Sequence, residues 1–182
     1  MARQLFTEHG YAQATLEDVA ERAGVTKGAL YHHFANKREL FQAVFEQLEQ
    51  ELVEKTVVAA VGGGDDVLEG IRLGVRAFLE AALDPAAGRI VLIEGPSVLG
   101  FQTWREIDAR YGFDVVKKSL AAAMDAGAIV RRPVDPLAHL FLAAISEAAL
   151  QIAQADDRER AMDEMTSALF MLLDSMRVGG RG

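Results

Sequence analysis

Apolar residues recur along nearly the whole chain at helical spacing. In the segment that begins at Thr15, residues Leu16, Val19, Ala20 and Ala23 stand at i, i+3, i+4 and i+7, which places them on one face of a helix. The alternation of apolar and polar residues that marks a strand is absent. The pattern therefore predicts an all-α protein.

Capping residues set the expected bounds of the first helices. A first helix is predicted over residues 2–9, and Gly10 ends it. Thr15 is a good N-cap for a second helix, which Gly24 ends in the left-handed conformation. Thr26 caps a short third helix in the same way.

The rest of the chain predicts longer helices. A fourth begins after the cap Asn36 and runs to about Val61, before the glycine-rich segment 62–66. The later helices are expected at about residues 66–83, from Pro85 to the segment 94–100, at 102–126, within 134–155 with Asp135 as the N-cap and Pro136 as the first helical residue, and at 157–176.

Composition narrows the class of protein. Of the 182 residues, 51% are hydrophobic, which is enough for a sizeable core, and none is cysteine. Disulfides, thiolate zinc sites and cysteine nucleophiles are therefore excluded. The longest apolar runs have six residues, whereas a membrane span needs about 20. The N-terminus also lacks the apolar stretch of a signal peptide, so we expect a cytoplasmic protein with no membrane partner.

Charge is divided unevenly between the two parts of the chain. Residues 1–45 contain five Lys or Arg and five Asp or Glu, whereas the remainder contains 14 and 22 and so carries the whole net charge of −8. A polyanion would therefore meet the neutral N-terminal part rather than the acidic remainder.

Cations stand at two predicted helix starts, where a positive charge is normally unfavourable. Lys27 follows the cap Thr26, and Lys37 and Arg38 follow the cap Asn36. Each costs a few tenths of a kcal/mol or more, because a helix N-terminus carries partial positive charge. A phosphate bound there would reverse the sign of that interaction. The alternative is that each side chain simply extends into water.

The second and third helices, with the Gly24 turn between them, have the arrangement of a helix-turn-helix. Leu30 and Phe34 stand at i and i+4 and would anchor the third helix to the first two. The outer side is left to Lys27, Gly28, Tyr31 and His32. The DNA major groove, about 12 Å wide, admits such a helix. The alternative for "YHH" (31–33) is that these side chains have no DNA contact, and that they pack on the protein or leave their imidazoles in water.

The stretch "TLEDVAERAGVTKGALYHHFANKRELF" (15–41) resembles the DNA-binding signature of the TetR/AcrR transcriptional regulators. The resemblance is unbroken, and it includes the Gly24 turn, the Tyr31–Phe34 aromatic pair and the Asn36–Lys37 helix start. It implies an N-terminal three-helix helix-turn-helix head (residues 1–45) and a larger C-terminal helical ligand-binding and dimerisation body (residues 46–182).

The resemblance also implies roles for single residues of the head. Phosphate contacts would come from Thr15, Tyr31, His33 and Lys37. The residues nearest the base edges would be Lys27, Gly28, Ala29 and His32, and Thr26, the cap of the third helix, belongs to the same DNA-binding set.

The eighth predicted helix is apolar around most of its girth. Only four of the residues in 137–153 are polar, namely His139, Ser146, Glu147 and Gln151. A helix of this kind must be covered on most sides. We expect a homodimer in which the eighth and ninth helices of two copies form a four-helix bundle across a two-fold axis. Burial within one subunit is the alternative.

The body is expected to hold a small-molecule effector of unknown identity. Such a pocket needs apolar walls and a few polar groups, and the residues expected near it are Phe101, Trp104 and His139. Each has an alternative role, because aromatic residues usually belong to a core, and a histidine on an apolar face is usually satisfied by its neighbours.

The function predicted from these features is a one-component transcriptional regulator, acting as a repressor. It would bind a palindromic operator in double-stranded DNA as a dimer, and a ligand in the body would release it. No catalytic residues, metal or cofactor are expected, because the sequence contains no phosphate-binding loop, zinc-protease motif or nucleophile elbow. A non-catalytic helical adaptor that binds another protein is the alternative.

Overall fold

The computed structural model describes residues 1–81 and 83–179. Within these residues the chain is helical, with no strand and one isolated bridge between Ile129 and Arg177. The α-helices are α1 (Ala2–Gln13), α2 (Leu16–Ala23), α3 (Lys27–His33), α4 (Lys37–Val61), α5 (Val67–Ala81), α6 (Gly95–Leu99), α7 (Phe101–Asp125), α8 (Val134–Gln154) and α9 (Arg158–Ser175), and a π-helix (Ala87–Glu94) precedes α6. The predicted all-α class is confirmed.

The predicted caps of the head form as expected. The Thr15 side chain accepts a hydrogen bond from the backbone N–H of Asp18, whose own carboxylate accepts from the Thr15 N–H, so that α2 begins with a reciprocal capping box. Gly24 ends α2 with a φ of 65°. Gly10 has a φ of 77° and bends α1. The helix resumes after it and ends at Gln13, so the prediction that α1 ends at Gly10 was wrong.

The head packs on the first half of α4 through an aromatic cluster. Phe6 and Phe41 are fully buried, and their ring centroids lie 5.2 Å apart in an edge-to-face arrangement. Tyr11 meets Phe41 in the same way, also at 5.2 Å. The predicted boundary between head and body, at residues 45 and 46, lies inside the continuous helix α4. The division into these two parts stays a prediction.

Two predicted helix starts in the body need correction. Helix α8 begins at Val134 with Pro133 before it, so Asp135 lies in its first turn and not at the cap. The Asp135 carboxylate forms an ion pair with the Lys117 ammonium on α7, 2.7 Å away, instead of capping the helix. The turn at Pro85 is capped by Asp84, which accepts from the N–H of Ala86 at 2.9 Å, and it leads into π-helical rather than α-helical hydrogen bonding.

Helix α8 runs through the middle of the body core. By length and composition it is apolar enough to cross a membrane, and half of its most apolar window is buried inside the protein. Its buried side is continuous with the core of the head, because the apolar cluster of buried residues extends from Leu5 in α1 to Leu173 in α9. Head and body therefore share one hydrophobic core.

Glycines allow α4 and α5 to pack closely as an antiparallel pair. A Cβ added to Gly70 would lie 2.8 Å from the backbone oxygen of Ala60, and one added to Gly74 would lie 3.4 Å from the Thr56 methyl group. The Ala60 oxygen is part of the α4 backbone and cannot rotate away. The separation of α4 and α5 is therefore set at Gly70.

We expect Gly70→Ala to lower the free energy of unfolding by about 1–3 kcal/mol, because the added methyl group forces α4 and α5 apart. This holds even though alanine is the better helix former by about 1 kcal/mol. The matched control is Gly28→Ala in α3, where an added Cβ meets nothing within 4 Å. Urea denaturation of both variants is the measurement, and a Gly70→Ala protein as stable as the control would contradict the close approach.

Candidate functional site: the surface of the third helix and the polar interior of the body

Helix α3 presents an open face to solvent. Leu30 is its buried residue, and it holds the helix against the head core. Of the nine residues expected to contact DNA, all but Lys37 are exposed, namely Thr15, Thr26, Lys27, Gly28, Ala29, Tyr31, His32 and His33. A Cβ at Gly28 would enter open space. The face is therefore free to approach a partner closely.

The cation at the start of α3 already has intramolecular partners. The Lys27 ammonium forms an ion pair with Glu17 on α2 and lies 5.6 Å from the centre of the Tyr31 ring. Its hydrogen bond holds the pKa of the Glu17 carboxyl below its ordinary value, and Glu17 in turn raises the pKa of Lys27. Both side chains are exposed, so this pair can exchange its partner at little cost.

Lys37 is placed differently from the other cations. Its ammonium donates to the backbone oxygens of Tyr11 at 2.7 Å, Ala12 at 3.3 Å and Ala14 at 2.9 Å. It also lies 4.4 Å from the centre of the Tyr11 ring. All three of its N–H donors are thus used within the protein. In this structure Lys37 ties the end of α1 to the start of α4 and offers no free donor to a phosphate.

The remaining polar groups of the face are threonine hydroxyls and imidazoles. The Thr26 hydroxyl accepts from the N–H of Ala29 at 3.2 Å, and the Thr15 hydroxyl donates to the Asp18 carboxylate at 2.6 Å. The rings of His32 and His33 are tilted by 45° to each other, with their centroids 5.6 Å apart, and both are exposed. Among the described residues, no group of three or more His, Asp or Glu side chains is placed to hold a metal ion.

The three residues expected near a ligand pocket are not gathered around one cavity. Trp104 is buried, and its indole N–H donates to the backbone oxygen of Val91 at 3.2 Å, whereas Phe101 is 70% exposed. His139 is exposed and stacks on Phe113 with 4.2 Å between the ring centroids. Their assignment as ligand contacts stays a prediction.

A buried acidic pair lies between α4, α7 and α8, and sequence reasoning missed it. Glu49 is 3% exposed and Asp108 is 4% exposed. Asp108 accepts from the Ser146 hydroxyl at 3.3 Å and lies 4.0 Å from the Arg105 guanidinium. Burial, reinforced by the charge of Asp108, raises the pKa of Glu49 to about 8.

A sequence signal for this pair does exist. Glu49 occupies a position of the apolar stripe formed by Phe45, Leu48 and Leu52, and Asp108 follows Ile107 in the corresponding stripe of α7. An acid at such a position is expected to be buried and to carry a perturbed pKa. An apolar crevice of about 50 Å³ also lies in the body, between α4, α5, α7 and α8, and Thr56, Ile71, Val75 and Phe141 are among its lining residues.

Models of known families match both parts of the chain. Residues 1–44 match the family described as bacterial regulatory proteins, tetR family. Residues 68–176 match the family described as tetracyclin repressor-like, C-terminal domain. The second match alone covers more than half of the chain.

Single proteins that resemble this chain in structure or sequence include further regulators. The structure is similar over 99% of this chain and 92% of the other to a TetR-family transcriptional regulator from Pectobacterium atrosepticum, with a TM-score of 0.87 and 33% identity. RolR in complex with its ligand resorcinol shares the fold, with a TM-score of 0.73 and 18% identity over 94% of this chain and 82% of that one. The HTH-type transcriptional regulator TtgR of Pseudomonas putida is 37% identical over 93 residues, 49% of this chain and 43% of its own. The chain spans about half the length of the curated relatives it matches.

We expect Lys37→Met to lower the free energy of unfolding by about 1–3 kcal/mol, because three backbone carbonyl groups lose their donor and two of these contacts, to Tyr11 and Ala14, are partly buried. The control is Lys55→Met, at an exposed position further along α4. Chemical denaturation measures both. Unchanged stability together with weakened DNA binding would contradict the structural role and would favour a phosphate contact.

Glu49 should make the protein less stable as the pH rises. Burial raises its pKa from the ordinary value of 4.5 to about 8 in the fold. Between these two values the folded state holds a proton that the unfolded state has lost, so the free energy of unfolding falls as the pH rises through that range. Glu49→Gln, which keeps the shape of the neutral acid, should raise the melting temperature at pH 8 by several degrees and flatten its pH dependence.

Melting temperatures measured between pH 5 and pH 8.5 test this expectation. Glu54→Gln, at an exposed position of the same helix, is the control and should keep the slope of the parent protein. Parallel curves for Glu49→Gln and the parent would show that Glu49 is not held neutral by burial.

Proposed function

The chain belongs to the TetR family of bacterial transcriptional regulators, and from this we propose that it is a one-component repressor that binds a palindromic operator as a homodimer. A small molecule bound in the body releases it from DNA. It works in the cytoplasm, without catalysis, cofactor or metal. The observation that carries the proposal is the open face of α3, which is anchored by Leu30 and is exposed within the part of the chain that the structure describes.

On DNA, α3 enters the major groove with its N-terminal turn foremost. Because Gly28 and Ala29 have the smallest side chains, the helix can lie deep in the groove, where Lys27 and His32 reach the base edges. Lys27 leaves Glu17 for a purine acceptor, an exchange between two exposed partners. Phosphate oxygens accept from Tyr31 and His33 at the other end of the helix and from the Thr26 hydroxyl. The Thr15 hydroxyl turns from the Asp18 carboxylate, to which it donates in the free protein, to a phosphate oxygen on DNA.

The phosphate role first expected for Lys37 is an indirect one in this proposal. By holding the carbonyl groups at the end of α1, Lys37 fixes the position of α2 and α3 relative to α4. The cations of the head are few and largely paired, so a single head binds weakly. A dimer doubles the phosphate contacts, and its two-fold axis requires a palindromic site.

The dimer forms through α8 and α9. These helices leave large apolar side chains on the surface, with Leu140 71% exposed, Met171 66% exposed and Leu172 48% exposed. Apolar side chains on two neighbouring helices favour an isologous four-helix interface with a second copy. The acidic body then keeps DNA away from the interface and directs it to the heads.

The effector binds inside the body. Resorcinol is a ligand of the structural neighbour RolR, which supports a small molecule as the ligand here. The buried polar residues of the described chain are Glu49, Asp108, Ser146 and Thr166. The apolar crevice between α4, α5, α7 and α8 has about 50 Å³, well below the volume of about 300 Å³ or more of a usual ligand pocket. In this proposal the effector enlarges this crevice by moving α4, α5 and α7 apart, and this opening moves the heads.

Variants of the α3 face separate the two kinds of contact. We expect Tyr31→Phe and His33→Ala to weaken binding about 5- to 10-fold on every duplex, because phosphate contacts carry no sequence information. Lys27→Met should weaken binding to the preferred operator by about 1–3 kcal/mol and relax the choice of base, with little effect on unrelated DNA. Fluorescence anisotropy with both duplexes at one salt concentration is the measurement.

Lys118→Met, which removes an exposed cation of α7, is the control and should bind like the parent. Loss of affinity only on the preferred operator in His33→Ala would reverse the assigned roles. A parent protein that binds no duplex at low salt would contradict the proposed function as a whole.

A further inference from the structure

The bend at Gly10 is held from the side by two residues of the π-helix. Arg89 donates to the backbone oxygens of Thr7 at 2.9 Å and Glu8 at 3.3 Å, just before the bend. Glu94 accepts from the N–H of Tyr11 at 2.9 Å, just after it. The guanidinium thus caps the carbonyl end of the first segment of α1, and the carboxylate caps the amide end of the second.

The fit at Gly10 leaves no room for a side chain. A Cβ there would collide with the Arg89 guanidinium and lie 2.6 Å from a Glu94 carboxylate oxygen, and the φ of 77° is itself strained for any other residue. Arg89 and Glu94 also bond to each other, with 3.2 Å between Nε and Oε1. The bend and the pair form one interlocked contact between head and body.

The pair depends on the π-helical register of residues 87–94. Arg89 and Glu94 are five residues apart, which is about 1.4 turns of an α-helix, so in an α-helix they would point to different sides. A π-helix has hydrogen bonds between residues i and i+5, and so brings such a pair to about the same side. Rewinding this segment as an α-helix would separate the two side chains and release the bend.

The π-helix is also connected to the interior of the body. The Trp104 indole of α7 donates to the backbone oxygen of Val91 at 3.2 Å, in the middle of the π-helix. Where the π-helix passes into α6, Gly95 fits against Phe45 of α4 and the Trp104 ring, so closely that an added Cβ would lie 2.7 Å from the former and 3.1 Å from the latter. A movement of α7 or α4 therefore reaches the π-helix directly.

We propose that Arg89 and Glu94 are positioning residues that fix the orientation of the head on the body, and that the π-helical register of residues 87–94 is the element whose loss frees the head. The inference rests on the proposed function for its purpose, since a repressor needs its head held in one orientation. The contact itself is a property of the single chain, so it can be tested without DNA.

The test measures the orientation of the head within one chain. The sequence contains no cysteine, so spin labels can be attached at Glu21→Cys on α2 and Lys118→Cys on α7, both exposed. Labelled chains are diluted in unlabelled chains, and the distance distribution is read by double electron–electron resonance. We expect one narrow distance in the parent and a broadened or shifted distribution in Arg89→Met. Glu94→Gln, which keeps an oxygen for the Tyr11 N–H but loses the charge, should have an intermediate effect.

Hydrogen exchange gives the second readout. In Arg89→Met, amides at the start of the resumed segment of α1 should exchange at least about 10-fold faster, while those of α8 stay as protected as in the parent. Trp104→Phe, which removes the indole donor but keeps an aromatic ring, should speed exchange within residues 87–94 and also broaden the head–body distance.

The matched control is Arg72→Met, which removes a comparably placed ion pair between α5 and α9 through Asp174 and contacts no part of the head. Its distance distribution should equal that of the parent. An unchanged distribution and unchanged α1 exchange in a folded Arg89→Met protein would overturn the proposed contact, whatever the protein does with DNA. A parent protein that shows the contact but binds no duplex would contradict the proposed function alone.

Discussion

The packing of α1 between α4 and the π-helix is the contact on which the rest of the structure depends. A head of about 45 residues is too small to bury a sufficient core alone. Here Phe6 and Phe41 merge the core of the head with that of the body, and the polar bonds of Lys37, Arg89 and Glu94 fix its direction. The head is therefore carried by the body as a rigid extension, and its orientation depends on how the body is packed.

This arrangement makes the proposed DNA binding compatible with a net charge of −8. Some cations of the head stabilise the fold, as Lys37 does by donating to carbonyl groups at the end of α1. Others form exposed ion pairs that can exchange their partner, such as Lys27 with Glu17. In the proposed function, affinity then comes from a helix that fits the groove and from the doubling of heads in a dimer. Specificity and response to a ligand would both follow from the spacing of two weak contacts.

Local signals predicted the head well, because its bounds are set by caps and turns within a few residues, as with Thr15 and Gly24. Long-range partners could not be predicted in this way. Asp135 at the start of α8 pairs with Lys117, which is 18 residues before it, and the residues beside the bend in α1 bond to Arg89 and Glu94. The π-helix has no sequence period of its own, and Trp104 gave no sign whether it would line a pocket or fill the core. Glu49 stands in an apolar stripe, and this position alone would have predicted a buried acid.

In the proposed function, two heads that a paired body holds in a fixed orientation read two half-sites at once. Selection of bound sequences from random double-stranded DNA measures this arrangement. Inverted half-sites should be enriched, with their centres separated by a whole number of helical turns, about 10 base pairs each. Enrichment of a single unrepeated half-site, or half-sites at variable spacing, would contradict it.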